Sequence, residues 1–116
     1  MNLRLIMALV AVEKTDVVLE AARRKGATGA TVITSVRGEG LKPEKTFLGL
    51  ELTGQRDVLL FLVAGNRAGL ILETIAREGR FDEEPGSGIA FQVNIEDAVG
   101  LKTQGSVLLD EIEESL

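Results

Sequence analysis

Apolar positions along the chain fall into two stretches built on the same plan. Leu3–Val12 is an almost unbroken apolar run of strand length, interrupted by Arg4. In the following EKTDVVLEAARRKG, Val17, Val18, Ala21 and Ala22 share one helical face. Thr15 or Asp16 can cap the start of that helix. Arg23, Arg24 and Lys25 suit the negative end of its dipole, and Gly26 is placed to stop it. Ala30–Val36, β-branched from 31 to 34, reads as a strand. The second stretch repeats the order: a strand over Asp57–Ala64, a helix over 66–79 with Asn66 as cap and Gly79 as stop, and a strand over Ile89–Ile95. Shifted by 53 positions, the two stretches coincide at Leu9/Leu62, Val10/Val63, Ala11/Ala64, Leu19/Leu72, Glu20/Glu73, Arg24/Arg77 and Gly26/Gly79.

A doubled β-α-β unit predicts an α+β protein with a ferredoxin-like βαββαβ fold: a four-stranded antiparallel sheet with two helices on one face. The other sheet face should then alternate polar residues with apolar ones. It does not, because strands 3–12 and 58–64 are apolar on both sides. A second cover is needed. Self-association supplies one, and the C-terminal VLLDEIEESL competes for part of the role. We expect an oligomer.

Composition narrows the function more than the fold. A chain of 116 residues, 45% hydrophobic and 27% charged, makes one domain with an aliphatic core, since its few aromatics are all phenylalanine. The net charge of −5 disfavours nucleic acid, whose binding draws on clustered Lys and Arg. Without cysteine there is no disulfide framework or thiolate metal site; without histidine the commonest metal ligand and general base are both missing. LRLIMALVAV reads as a buried strand in preference to a leader, because EKTD follows it at once. No apolar run nears the roughly 20 residues that span a bilayer, so the protein is expected to be cytoplasmic and not membrane-inserted.

Three irregular stretches are left to carry chemistry: GATGAT (26–31), the connector from Arg37 to Asp57, and GRFDEEPGSGIAF (79–91). Gly86-Ser87-Gly88 can let the backbone close on an anion as a nest of N–H donors. It can equally be a plain turn whose entry Pro85 fixes, and Asp82, Glu83 and Glu84 would repel a phosphate that faced them. In RGEG (37–40), Arg37 can pair with a phosphate or simply be a solvated charge. No two carboxylates stand at a spacing that suggests acid–base work, so an enzyme is not expected.

In order and spacing these segments resemble the PII-like signalling proteins, over about residues 3–102. GATGATV, a strand running into RGEG, a long connector, and PGSGIAFQVNIEDAVGL ending in Val99-Gly100-Leu101 carry the resemblance, which is to short-looped members. It implies a PII-like domain over 1–102, with a tail at 103–116, that assembles as a homotrimer and binds adenine nucleotide (ATP, ADP or AMP) in clefts between subunits. Gly29 and Thr31 would come from one subunit, and Gly38, Gly40, Gly86, Ser87 and Gly88 from its neighbour. Arg37 and Lys102 would add charge. The connector, roughly Leu41–Arg56, would correspond to the T-loop that reports ligand state to a partner, a membrane transporter or an enzyme, as in nitrogen regulation. No covalent cofactor is implied.

The chain departs from the family pattern at several points. Ile89 stands where a lysine follows the loop glycines, and Gly100 and Lys102 stand where two basic residues are usual. Asp57 replaces a lysine partner, LKPEK has no glutamine for 2-oxoglutarate, and there is no tyrosine to modify. Fewer cations imply that ADP or AMP rivals ATP, since a charge-assisted bond contributes about 1.5–3 kcal/mol. Bicarbonate is a second ligand associated with divergent members. Two other readings stay open: a trimeric small-molecule or ion-binding module without nucleotide response, and a slow nucleotide hydrolase.

Overall fold

The computed structural model describes residues 2–37, 46–47, 50–51 and 55–114. Strand β1 spans Leu3–Ala11 and passes through a short 3-10 turn (Val12–Lys14) into α1, Thr15–Arg24. Strand β2 is Thr31–Val36, and the connector holds a two-residue pair, β3 (Thr46–Phe47) and β4 (Leu50–Glu51). Strand β5 (Arg56–Ala64), helix α2 (Gly65–Glu78) and strand β6 (Gly88–Ile95) complete the repeat, followed by α3 (Leu101–Gln104) and α4 (Ser106–Glu114). The main sheet runs β2-β5-β1-β6 with every neighbouring pair antiparallel. This is the expected ferredoxin-like order. Among the described residues no helix is long and apolar enough to cross a membrane.

Strand periodicity decides what each sheet face holds. Ile6, Ala8 and Val10 of β1, with Leu59, Phe61 and Val63 of β5, point to the helices and are buried against Val18, Ala21, Ala22, Ala68, Ile71 and Ile75. The intervening residues form the second face, where Leu5 pairs with Leu62 and Val93, Met7 with Leu60 and Phe91, and Leu9 with Val58 and Ile89. That face is apolar, and α4 covers one end of it. Leu108 and Ile112 are buried there against Leu3 and Ala64, beside Leu62 and Ile95, and Arg67 Nε of α2 meets Glu111 Oε2 at 3.3 Å. Further along, Ile33, Phe91 and Val93 stay exposed at 46%, 39% and 42%. The tail is therefore a partial cover, and most of the second face is open in a single chain.

Three helix-end expectations need correcting. Neither Thr15 nor Asp16 caps α1; the Thr15 hydroxyl instead donates to Asp57 Oδ2 at 2.6 Å. Asn66 lies inside α2, which starts from Ala64 with no side-chain cap. Gly26 does end α1, at φ +105, with Gly26 N–H donating to Arg23 O and Ala27 N–H to Ala22 O, the paired bonds of a Schellman turn. The same pair closes α2 from Arg80 N–H to Arg77 O and Phe81 N–H to Ala76 O, so Arg80, at φ +57, occupies the left-handed position and not Gly79. Gly79 serves another purpose: a Cβ there would lie 2.5 Å from the Phe81 ring.

Candidate functional site

Four of the predicted site residues, Gly29, Thr31, Gly86 and Ser87, divide between two clefts at opposite ends of the sheet. The first, about 660 Å³, has Leu5, Leu60 and Leu62 as its floor. Thr28–Thr31 form one wall, and Val99–Leu101 with Gly105–Leu108 form the other. Gly29 and Thr31 both lie here, Thr31 opening β2 opposite Leu60. Lys102 is exposed on α3 one residue beyond the lining Leu101. Among the described residues no charged side chain lines this cleft. It suits an uncharged group.

The second cleft, about 150 Å³, lies where β1 ends and β5 begins, under the loop 84–87. Its lining is polar, with Glu13, Lys14, Gln55, Arg56 and Glu84 beside Gly86 and Ser87. The loop is fastened from several directions. Ala11 N–H donates to Ser87 O at 2.9 Å, and Arg56 Nη1 to Gly86 O at 2.7 Å. The Ser87 hydroxyl, buried, has the carbonyls of Glu84 at 2.7 Å and Arg80 at 3.0 Å within reach, so its proton is engaged inside the loop. It could meet a ligand only as an acceptor. Glu84 pairs with Lys14 at 2.9 Å and Arg80 at 3.0 Å. The hydrogen bond from Lys14 is the main reason its carboxyl is held below the ordinary carboxylate value, with the charges of Lys14 and Arg80 adding to the effect.

Gly88 belongs to the scaffold as much as to the loop. It pairs with Val10 at the start of β6, and a Cβ on it would stand 2.5 Å from Phe81 Cε1. The glycine thus leaves room for an aromatic ring, and it is not part of the cleft lining. Arg37 is exposed just past β2, whose last residue, Val36, pairs with Arg56. It therefore stands at the end of the sheet that holds the second cleft. Gly38 and Gly40 lie outside the described residues, as does most of the connector.

Three residues that sequence reasoning did not place in the site emerge from the geometry. Arg56, 3% exposed, brings a guanidinium to the Gly86–Ser87 loop. Lys14 brings an ammonium group to the same cleft. Asp57, also buried, accepts the Thr15 hydroxyl and, at 3.4 Å, the N–H of Ser35. Ser35 sits at φ +59 in a bulge, where the β2–β5 register steps from Ile33↔Val58 to Val36↔Arg56. Adjacent side chains at the foot of the connector thus brace the loop on one side and the bulge on the other. Nothing in local pattern marks them, because their partners are 22 to 42 residues away.

The two clefts do not meet within one chain. Leu62 and Arg56 are separated by six residues of β5, roughly 20 Å at a rise of about 3.3 Å per residue.

Residues 3–105 match the family model described as nitrogen regulatory protein P-II. The chain belongs to this family. Among solved structures it is similar to a PII-like signalling protein from Thermus thermophilus, at 26% identity over 82% of this chain and 90% of that one, with a TM-score of 0.58. It is also similar in fold to CPII from Thiomonas intermedia bound to ADP, AMP and acetate: 19% identity, 86% and 92% of the two chains, TM-score 0.64. A third likeness is to B. subtilis GlnK in complex with ATP, at 18% identity over 87% and 88%, with a TM-score of 0.69. No curated protein sequence matches the chain. The P-II match ends at Gly105, so α4 lies beyond it.

Proposed function

We propose that this P-II family chain is a nucleotide-responsive signalling subunit of a cytoplasmic homotrimer, binding adenine nucleotide between subunits and acting on a partner protein through its connector. The observation that carries this reading is the opposite chemistry of two clefts at opposite ends of one chain. The larger is lined by apolar and neutral polar residues with no charged side chain among those described, and holds Gly29 and Thr31; the smaller is charged and holds Arg56, Lys14, Gly86 and Ser87. A nucleotide has the same two parts, a neutral base and charged phosphates. Only a second copy could bring the two kinds of wall together, and the open apolar sheet face supplies the surface for such packing. The nucleotide-bound GlnK and CPII structures support the choice of ligand.

In this reading the base lies in the first cleft, and the phosphates lie by the 84–87 loop of the neighbouring subunit. Arg56 replaces part of the charge missing at Ile89 and Gly100. Because Arg56 also ends the connector, movement of the loop and of the connector would be linked through its bond to Gly86 O. The partner would be a transporter or an enzyme, and no catalytic group is invoked.

Calorimetric titration with ATP, ADP and AMP, with and without Mg²⁺, tests the ligand, and light scattering tests the assembly. Binding of at least one nucleotide by a particle about three times the 12.4 kDa chain mass is expected. A monomer that binds none of them would overturn the reading. Release of phosphate at a rate matching turnover would favour the hydrolase reading.

A further inference from the structure

Helix α4 lies outside the residues that match the family, yet it supplies part of a wall of the uncharged cleft. It is seated firmly enough to do so. Leu108 and Ile112 are 5% and 3% exposed on the end of the sheet, and Glu111, 14% exposed, pairs with Arg67. Next to the anchor Leu108, which also lines the cleft, Val107 lines the cavity and is 58% exposed. Val99, 96% exposed, stands beside it on the same wall. Two large apolar side chains in solvent at the mouth of an uncharged cavity are placed to be buried by an occupant. That occupant must itself be uncharged where it touches them, because no charged side chain among the described residues lines the cleft to pair a phosphate.

We propose that α4 is a ligand-contacting wall added to the family scaffold, with Val107 packing on the ring system of the bound nucleotide and setting the preference among bases. The inference rests on the reading that this cleft takes the base. It assigns the C-terminal segment a role in ligand choice beside the sheet floor of Leu5, Leu60 and Leu62. A flat purine buries more of Val107 than a pyrimidine does, so contact with α4 favours the larger ring.

The test compares the full chain with its Val107→Ala and Val107→Asp variants, titrated with ADP and with CDP. Val107→Asp is expected to weaken ADP by about tenfold or more, to weaken CDP less, and so to narrow the ratio between them. Val107→Ala should fall in between. Melting temperature and particle mass should not change, since Leu108 and Ile112, which seat α4 on the sheet, are untouched. Unchanged ADP affinity and ratio in Val107→Asp would overturn the role of α4 while leaving the nucleotide reading intact. A drop in particle mass would overturn it too, by making Val107 a packing residue between copies of the chain and not a contact of the ligand. Failure of the unaltered protein to bind either nucleotide would overturn both readings together.

Discussion

The two ends of the sheet are held by different physics. At the end where β1 starts, closure is apolar: Leu3 and Ala64 meet Leu108 and Ile112 of a helix that the family match does not include. At the other end closure is polar, through buried Arg56 on Gly86 O, buried Asp57 on Thr15 and Ser35, and Ser87 on the loop carbonyls. Apolar contacts are undirected and tolerate a change of ligand in the neighbouring cleft. Hydrogen bonds fix direction, and a polar end can pass a displacement from loop to connector. On the proposed reading the chain separates a site for shape from a site for charge.

The comparison is broken most severely at the apolar end. Leu3 is fully buried between strand and α4, and Leu3→Ala should cost about 2–5 kcal/mol, the range for a leucine whose cavity cannot collapse. Leu108→Ala removes the same group from α4, but the helix can undock while the sheet stays folded. It should therefore cost less in global unfolding and show most in faster hydrogen exchange over 106–114. Equal costs in denaturant titrations would mean that α4 is part of the cooperative core and not an appended wall.

At the polar end the informative change is Gly88→Ala. Both Gly79 and Gly88 leave space that the Phe81 ring fills, and a methyl group at 88 forces the ring to move. Overpacking of this kind costs about 1–3 kcal/mol. Phe81→Leu, which removes the atoms nearest the new Cβ, should recover part of that loss in the double variant. If the double variant loses the sum of the two single costs, ring and glycine are not coupled, and Gly88 is there for the loop alone.

Gly88 also illustrates what the sequence can and cannot tell. The repeat is legible because its strands need a two-residue period and its helices a 3.6-residue period, and both β1 and β5 run for nine residues. The apolar second face and the covering tail are legible for the same reason, with Leu108 and Ile112 four apart on one side of α4. The 53-residue shift, however, aligns Gly26 with Gly79, while the equivalent turns align Gly26 with Arg80. A glycine can mark a left-handed turn or a close neighbour, and only the folded position of Phe81 separates the two. Arg56 and Asp57 are hidden by the same limit. A charged pair at the start of a strand looks solvated until residues 15, 35 and 86 are known to close over it. The glycines and threonine of GATGAT were legible as one wall, but their chemistry is set by Leu5, Leu60, Leu62 and α4, which reach them only through the sheet.

The smallest effect sharpens the charge side of the comparison. Glu84 occupies Lys14 at the mouth of the second cleft. A phosphate approaching that cleft must compete with a carboxylate for the same ammonium group. Glu84→Gln removes the competing charge and should tighten ADP by a few-fold, with little change in stability, because exposed ion pairs contribute little. The pH dependence has a definite sign. Lys14 holds the carboxyl below the ordinary value, so the native pairing is fully present above the usual carboxylate pKa and is lost only as pH falls through the lowered one. Between roughly pH 6 and 8 Glu84 stays ionised in the unaltered protein, and the advantage of Glu84→Gln should be flat across that window. It should vanish at lower pH, where the carboxylate takes up its own proton and releases Lys14. No advantage anywhere between roughly pH 6 and 8 would place the competing charge elsewhere, and Glu13, the other carboxylate lining this cleft, would be the group to change next.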